Sequence, residues 1–327
     1  MALLLRESHL RDLLTMRELV PLMERTLAAF STGGAVQPLR PVVPVSSYGG
    51  FLAVMPAYLV AQEAVGLKAV TVYPGNAARD LPSHLATILL LDAETGALRA
   101  LLDGRLITEM RTAAASAAAT ARLSARPGKT LALLGAGVQA HSHLQAIREV
   151  RPVADVRVWS RTRERADRFA GEARERLGLN VAAVRSPREA VRGADIICTV
   201  TSSHTPVLEG AWLEPGMHIN AVGACTADWR ELDTEAVRRC SVFVDSRQSA
   251  LAEAGDLVIP IRTNALDPSH IRAEIGEVFA DAHHGRAEPD EITLFESLGL
   301  AVEDVASAKL AYEHALARGV GDALSLE

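Results

Sequence analysis

The stretch "LALLGAGVQAHSH", residues 131–143, decides the fold. An apolar run ends in Gly135, Gly137 and Ala140, spaced G-x-G-x-x-A, and passes into a helix-forming segment. Gly135 permits a tight turn, Gly137 lets the backbone approach a pyrophosphate, and Ala140 keeps the helix close to the sheet. The start of that helix favours negative charge. The motif alone is a weak signal, and its setting makes it strong. A strand is expected at 130–134, a helix at 138–149 and a strand at 155–159. A helix at 162–177, a strand at 180–184, a helix at 186–192 and a strand at 194–200 follow. "MHINAVGA" (217–224) and "VFVDS" (242–246) are again strand-like. This alternation predicts an α/β fold with a Rossmann-type, doubly wound parallel sheet.

The next decisive stretch is "DVRVWSRTRERAD", residues 155–167, the second strand and the turn after it. An acid there would accept hydrogen bonds from a free ribose 2′-OH and repel a 2′-phosphate. This turn instead carries Ser160, Arg161 and Thr162, with further arginines at 163 and 165. A guanidinium can pair with a 2′-phosphate while the hydroxyls donate to it. The cofactor expected is therefore NADPH (NADP), with NADH as the alternative.

Outside that segment the chain changes rhythm. Residues 8–30 read as one amphipathic helix ending near "STGG". "VQPLRPVVPV" (36–45), "GFLAVMPAYLV" (50–60), "VGLKAVTVYP" (65–74) and "HLATILLLDAETGALRALLDG" (84–104) are short β-rich runs broken by Pro, Gly and an acidic turn. They predict a mixed or antiparallel sheet. "ITEMRTAAASAAATARLSA" (107–125) predicts a well-packed Ala-rich helix. The stretch 292–317, "ITLFESLGLAVEDVASAKLAYEHALA", reads as an acidic turn and then helical periodicity.

The 327 residues, 49% apolar and 23% charged with a formal net charge of -6, have an ordinary globular balance and no cationic surplus for nucleic acid. Two domains are the natural expectation at this length. No apolar run is long enough to span a membrane, and the first residues lack a signal-peptide pattern, so a cytoplasmic protein is expected. Cys198, Cys225 and Cys240 show no metal-ligand spacing, and His141 and His143 stand two apart on a helix start, so no metal site is expected. Lysines are scarce, only Lys68, Lys129 and Lys309, which singles out Lys68 in its apolar run. Arg40, Lys68, Arg111 and Asp228 all sit in apolar sequence. A buried charge needs a partner, and three cations with few local acids suggest an anionic ligand such as a carboxylate.

"QPLRPVVPV", "AVMPAY", "PSHLAT", "LLDGRLITEMRTAAASA", "LLGAGVQAHSH", "HINAVGACTADWREL" and "SLGLAVED" resemble the ornithine cyclodeaminase/mu-crystallin family, in order and over nearly the whole chain. The resemblance leans to the mu-crystallin branch, whose members act as NADPH-dependent ketimine reductases. It implies a homodimer and a discontinuous α+β substrate-binding and dimerisation domain, residues 1–122 completed by 299–327, beside an NADP-binding Rossmann domain, residues 123–298. Arg40, Lys68 and Arg111 match the family's carboxylate-binding positions, and Asp228 matches the acid near the reacting nitrogen. Ser83, His84, Thr201 and Ser297 fall in segments that approach the nicotinamide or its ribose. Arg111, Val138, Gln139 and Val222 complete the expected cofactor contacts, and Glu253 matches a ligand-contacting position. Cys225 stands where a small hydroxyl residue is expected and reads as an inert packed thiol.

The chemistry so implied is reduction of a cyclic imine carboxylate to a cyclic amino acid. Asp228 and Lys68 are the catalytic candidates. Three rivals stand beside it. Ornithine cyclodeaminase would turn ornithine into proline and ammonia, but Ala53 occupies the place of that branch's glutamate. An alanine-dehydrogenase-like activity, or reductive amination of 2-oxo acids, would use the same carboxylate grip. A non-catalytic protein holding NADPH and an iodothyronine-like ligand is the third.

Overall fold

The computed structural model of the chain describes residues 2–125 and 128–325. The chain divides into two units, Met1–Arg111 with Gly299–Glu327, and Thr112–Leu298. The first opens with β1 (Ala2–Leu5), α1 (Glu7–Leu13), α2 (Met16–Ser31), β2 (Ala35–Val36) and β3 (Val42–Val45). It continues through β4 (Gly50–Leu59), β5 (Ala64–Val72), β6 (His84–Asp92) and β7 (Leu98–Asp103) into α3 (Gly104–Leu123), where the division falls. The second unit holds β8 (Thr130–Leu134), α4 (Val138–Val150), β9 (Asp155–Trp159), α5 (Arg163–Leu177), β10 (Asn180–Ala183), α6 (Pro187–Val191), β11 (Ile196–Thr199) and β12 (His218–Ala221). It ends with α7 (Thr234–Arg238), β13 (Cys240–Val244), α8 (Arg247–Glu253), α9 (Gly255–Arg262), β14 (Ile271–Glu274), α10 (Ile275–Phe279) and β15 (Ile292–Glu296). The first unit is completed by α11 (Ala301–Arg318) and β16 (Asp322–Leu324).

The second unit is the doubly wound sheet the alternation predicts. Its strands run in the order β10-β9-β8-β11-β12-β15-β13-β14, all pairs parallel. Strand order reverses between β8 and β11, which opens a crevice at their carboxyl ends. The stretch 292–317, read as an acidic turn and then helical periodicity, opens instead with a strand, β15. It inserts between β12 and β13, and all five of its residues are buried. A short strand covered on both faces has no alternation to betray it.

In the first unit β4 to β7 form an antiparallel meander, and β1 lies parallel to β7 and antiparallel to β16. The pleat sends Ala53, Met55, Lys68, Val70 and Ile88 to one face, where α11 packs. The single helix expected over 8–30 is two helices. Thr15 interrupts it by accepting the Glu18 N–H at 3.3 Å while its hydroxyl donates to the Glu18 carboxylate at 2.7 Å, a cap that starts a new helix. Among the described residues, no helix is long and apolar enough to cross a membrane.

Candidate active site

The second unit supplies a dinucleotide cradle. Gly135 sits at φ 123°, and a Cβ there would stand 2.6 Å from the Val200 carbonyl oxygen, so only glycine lets the end of β8 pass the end of β11. A Cβ on Gly137 would meet nothing within 4 Å. Gly137 is the N-cap of α4 without a side-chain hydrogen bond, so no side chain caps the first N–H groups of the helix. Gly135, Gly137, Ser160, Arg161, Thr162 and Thr201, all expected from sequence, line one cavity of about 210 Å³. Arg165, Ser202 and Ser203 join its wall. Arg163 does not, because its guanidinium pairs with Asp167 at 2.9 Å.

The cavity fits a nicotinamide dinucleotide on these observations: a glycine at 135 where a Cβ would obstruct, open space at Gly137, an uncapped helix start, and two guanidiniums beside two hydroxyls. The other expected contacts lie off its wall. Val138 is exposed, Gln139 is half-buried with its own backbone carbonyl 2.8 Å from His143 Nδ1, and Ser297 is buried just after β15. Val222, after β12, donates its N–H to the Thr199 carbonyl at 3.1 Å.

The first unit holds a buried charge cluster. Lys68 on β5 is 2% exposed; its Nζ lies 2.6 Å from Asp304 Oδ2 and donates to Thr108 Oγ1 at 3.3 Å. Arg111 on α3 is 3% exposed; its Nε donates to Asp304 Oδ1 at 2.9 Å and its Nη1 to Glu303 Oε2 at 2.6 Å. This corrects the sequence argument. Lys68 and Arg111 do have acids, which α11 delivers in its first turn, and their burial by itself requires no anionic ligand. Gly299 makes room for the arrangement: at φ +81°, its Cβ would stand 2.3 Å from Arg111 Nη1.

The electrostatics follow from that geometry. Burial pushes Lys68 down to about 8, aided by the charges of Arg111 and Arg40 and opposed by Asp304. Burial also works against the Arg111 charge, but Asp304 and Glu303 hold its guanidinium above its usual value. Burial raises Asp304, yet Arg111 and Lys68 outweigh it and keep the carboxyl below its usual range. His84, half-buried at the start of β6, is pushed down to about 4 by burial and by Lys68 and Arg111, so its imidazole is neutral at neutral pH. Ser83 beside it is exposed and Arg40 is half-buried.

Asp228 is the second correction. Its apolar sequence neighbours suggested a shielded acid, but its side chain is 90% exposed, with Arg262 at 3.7 Å. Ala224 is buried and Trp229 stacks on His204 at 4.4 Å, so the loop packs through those residues and turns Asp228 outward. Glu253 is half-buried at the end of α8. Sequence reasoning missed Glu303, Asp304 and Thr108, and gave Arg165 no role of its own.

The model of the ornithine cyclodeaminase/mu-crystallin family matches residues 2–319. The chain belongs to that family. Within it, the ketimine reductase mu-crystallin of Mus musculus is 47% identical over 298 residues, 90% of this chain and 91% of that protein. The solved Δ1-pyrroline-2-carboxylate reductase of Thermococcus litoralis, in complex with NADH and L-proline, has a TM-score of 0.96 and 43% identity, covering 98% of this chain and 100% of that one. An archaeal alanine dehydrogenase dimer with bound NAD has a TM-score of 0.94 and 32% identity, covering 100% of this chain and 99% of that one.

Proposed function

We propose that this chain reduces cyclic ketimine carboxylates, Δ1-pyrroline-2-carboxylate and Δ1-piperideine-2-carboxylate, to cyclic L-amino acids with NADPH. The observation that carries the reading is that Asp304 and Glu303 fix the buried Lys68 and Arg111 in place within electrostatic reach of Arg40, which adds the positive charge that the two acids do not balance. Two relatives act on substrates of this kind, as their names state. Arg40, Lys68 and Arg111 hold the substrate carboxylate, and Asp228 stabilises the protonated ring nitrogen, which makes its carbon a better hydride acceptor. When bound, NADPH supplies the hydride. The neutral His84 imidazole adds no positive charge to oppose that nitrogen.

Ala53 favours reduction over cyclodeamination. It lies on the Lys68 face of the sheet, in β4, where Met55 pairs with Lys68 and Ala53 with Val70. With alanine there, this position offers no carboxylate to the distal ammonium of ornithine.

The pH dependence tests the grip. Lys68 is a cation below about pH 8 and neutral above it, so kcat/KM for the imine is expected to be level below that pH and to fall above it. Stability moves the other way. The folded chain binds this proton less tightly than the unfolded one, so the Lys68 contribution to stability rises with pH from about 8 to 10.5. Falling activity with undiminished stability is the expected result of a kcat/KM profile measured beside urea unfolding. A profile level to pH 10 would remove Lys68 from carboxylate binding.

Ser160, Arg161, Thr162 and Arg165 on one cavity wall support NADPH, although the Thermococcus relative is in complex with NADH. Arg161→Ala is expected to lower kcat/KM with NADPH by about 10- to 100-fold, the worth of a charge-assisted contact. The value with NADH should stay level, and an unchanged NADPH/NADH ratio would contradict the assignment.

The chain is also proposed to work as a homodimer through its first unit. The sheet face opposite α11 carries Leu52, Val54, Val65, Leu67, Leu89 and Leu91, all only part-buried, a surface that needs an apolar partner. Sedimentation equilibrium checks this, and a monomer at tens of micromolar would rule it out.

A further inference from the structure

Glu231, in "DWREL", has no role in the scheme above, yet its environment is more constrained than that of Asp228. It is fully buried, and its carboxylate ties two separate loops together. Oε1 accepts the Thr201 N–H at 2.6 Å and the Thr201 hydroxyl at 2.5 Å, while Oε2 accepts the Gly223 N–H at 2.8 Å. Thr201 follows β11 on the wall of the dinucleotide cavity, and Gly223 follows β12 in the loop that leads to Asp228. Thr201 Oγ1 in turn accepts the N–H of Ser203, another residue of the wall, at 3.0 Å.

The carboxylate is itself held in place. Asp256, fully buried at the start of α9, accepts the N–H groups of Glu231 and Leu232 on Oδ1, both at 2.8 Å. Beside it, a Cβ on Gly255 would stand 1.8 Å from the Trp229 carbonyl oxygen and 2.7 Å from that of Thr226. The loop bearing Asp228 is therefore seated on α9 with no room for a side chain beneath it.

We propose that Glu231 is a positioning residue, which keeps the cofactor-cavity loop at Thr201 in register with the loop at Gly223 that carries Asp228. The inference rests on the proposed reductase reading for its kinetic consequence, though not for its structural one. Three donors converge on two oxygens, and only a carboxylate accepts them all. A glutamine keeping its oxygen on Thr201 would turn an NH₂ toward the Gly223 N–H, donor against donor in a buried site. The Gly223 loop would be released while the glycine cradle at Gly135 and Gly137 stayed intact.

The test uses the full-length protein with Glu231→Gln, Thr201→Val and Thr201→Ser. NADPH binding, kcat for Δ1-pyrroline-2-carboxylate and amide hydrogen exchange over 200–205 and 222–228 are measured. Glu231→Gln is expected to lower kcat by about 100-fold, as a misplacement on the ångström scale does, while NADPH affinity changes little. Exchange should rise over 222–228 in Glu231→Gln and over 200–205 in Thr201→Val, and stay level over 130–137 in both. Thr201→Val, which removes one hydroxyl, should cost about tenfold in kcat, and Thr201→Ser, which restores it, should return near the wild-type value. Thr201→Val carries the test if Glu231→Gln does not fold. Unchanged exchange in the two loops overturns the proposal whatever the enzyme's substrate, and so does a Thr201→Ser variant as slow as Thr201→Val. Failure of the reductase reading is seen separately, in the wild-type protein, as no turnover of the imine.

Discussion

Arg111→Met is expected to destabilise the protein by about 3–5 kcal/mol, the usual consequence of leaving a buried charge without its partner. Methionine fills much of the space, so the loss is electrostatic and not a cavity effect. Lys68 remains 2.6 Å from Asp304, but Glu303 Oε2 loses the guanidinium that it meets at 2.6 Å. Glu303 is fully buried on α11, where a bare carboxylate is costly. In the wild type the folded value of Asp304 is lowered, so the stability it contributes is present above the ordinary carboxylate value, is still there at pH 4 and is lost only as pH falls through the folded value. In the variant, burial without a partner raises the orphaned Glu303, so the gap between wild type and variant should narrow toward pH 4 as Glu303 takes up a proton. Urea unfolding at pH 7 and pH 4 measures both quantities. A variant within 1 kcal/mol of wild type at pH 7 would mean that the α11 acids do not depend on Arg111.

Asp228→Asn is expected to lower kcat by about 10²- to 10⁴-fold, the range for a side chain that stabilises a proton in the transition state. Here the fold should be indifferent. The side chain is 90% exposed with only a 3.7 Å approach to Arg262, so unfolding should shift by less than about 0.5 kcal/mol. NADPH affinity should also hold, because Asp228 is not on the cavity wall that Arg161 and Gly137 share. Steady-state rates alongside a binding titration separate these effects. A kcat within threefold of wild type would remove Asp228 from the chemistry.

What could be read from the sequence was local. Gly135, Gly137 and Ala140 announced the cradle because backbone conformation and close approach select glycine and alanine at fixed spacing. The place of Arg161 on the cavity wall was legible because it stands in the turn that follows the second strand after the glycines. The break at Thr15 was also written locally, as Thr15 three residues before Glu18, and the longer helical period masked it. Glu303 and Asp304 could not be reached that way: Asp304 meets Arg111 across 193 residues of chain. Their one local trace is two acids inside "LGLAVEDVASA", the same anomaly that drew attention to Lys68 and Arg111. The outward turn of Asp228 left no trace, since its apolar neighbours pack without it. Glu231 drew no reading from the sequence, because its bonds to Thr201 and Gly223 are made only in the fold.

The most direct measurement is initial-rate oxidation of NADPH and NADH by the purified protein with Δ1-pyrroline-2-carboxylate and Δ1-piperideine-2-carboxylate, beside ornithine with catalytic NAD⁺. NADPH loss matched by proline or pipecolate, faster than with NADH, is the predicted result, with no proline formed from ornithine. Proline and ammonia released from ornithine without net cofactor change, and no imine-dependent oxidation of either cofactor, would contradict it.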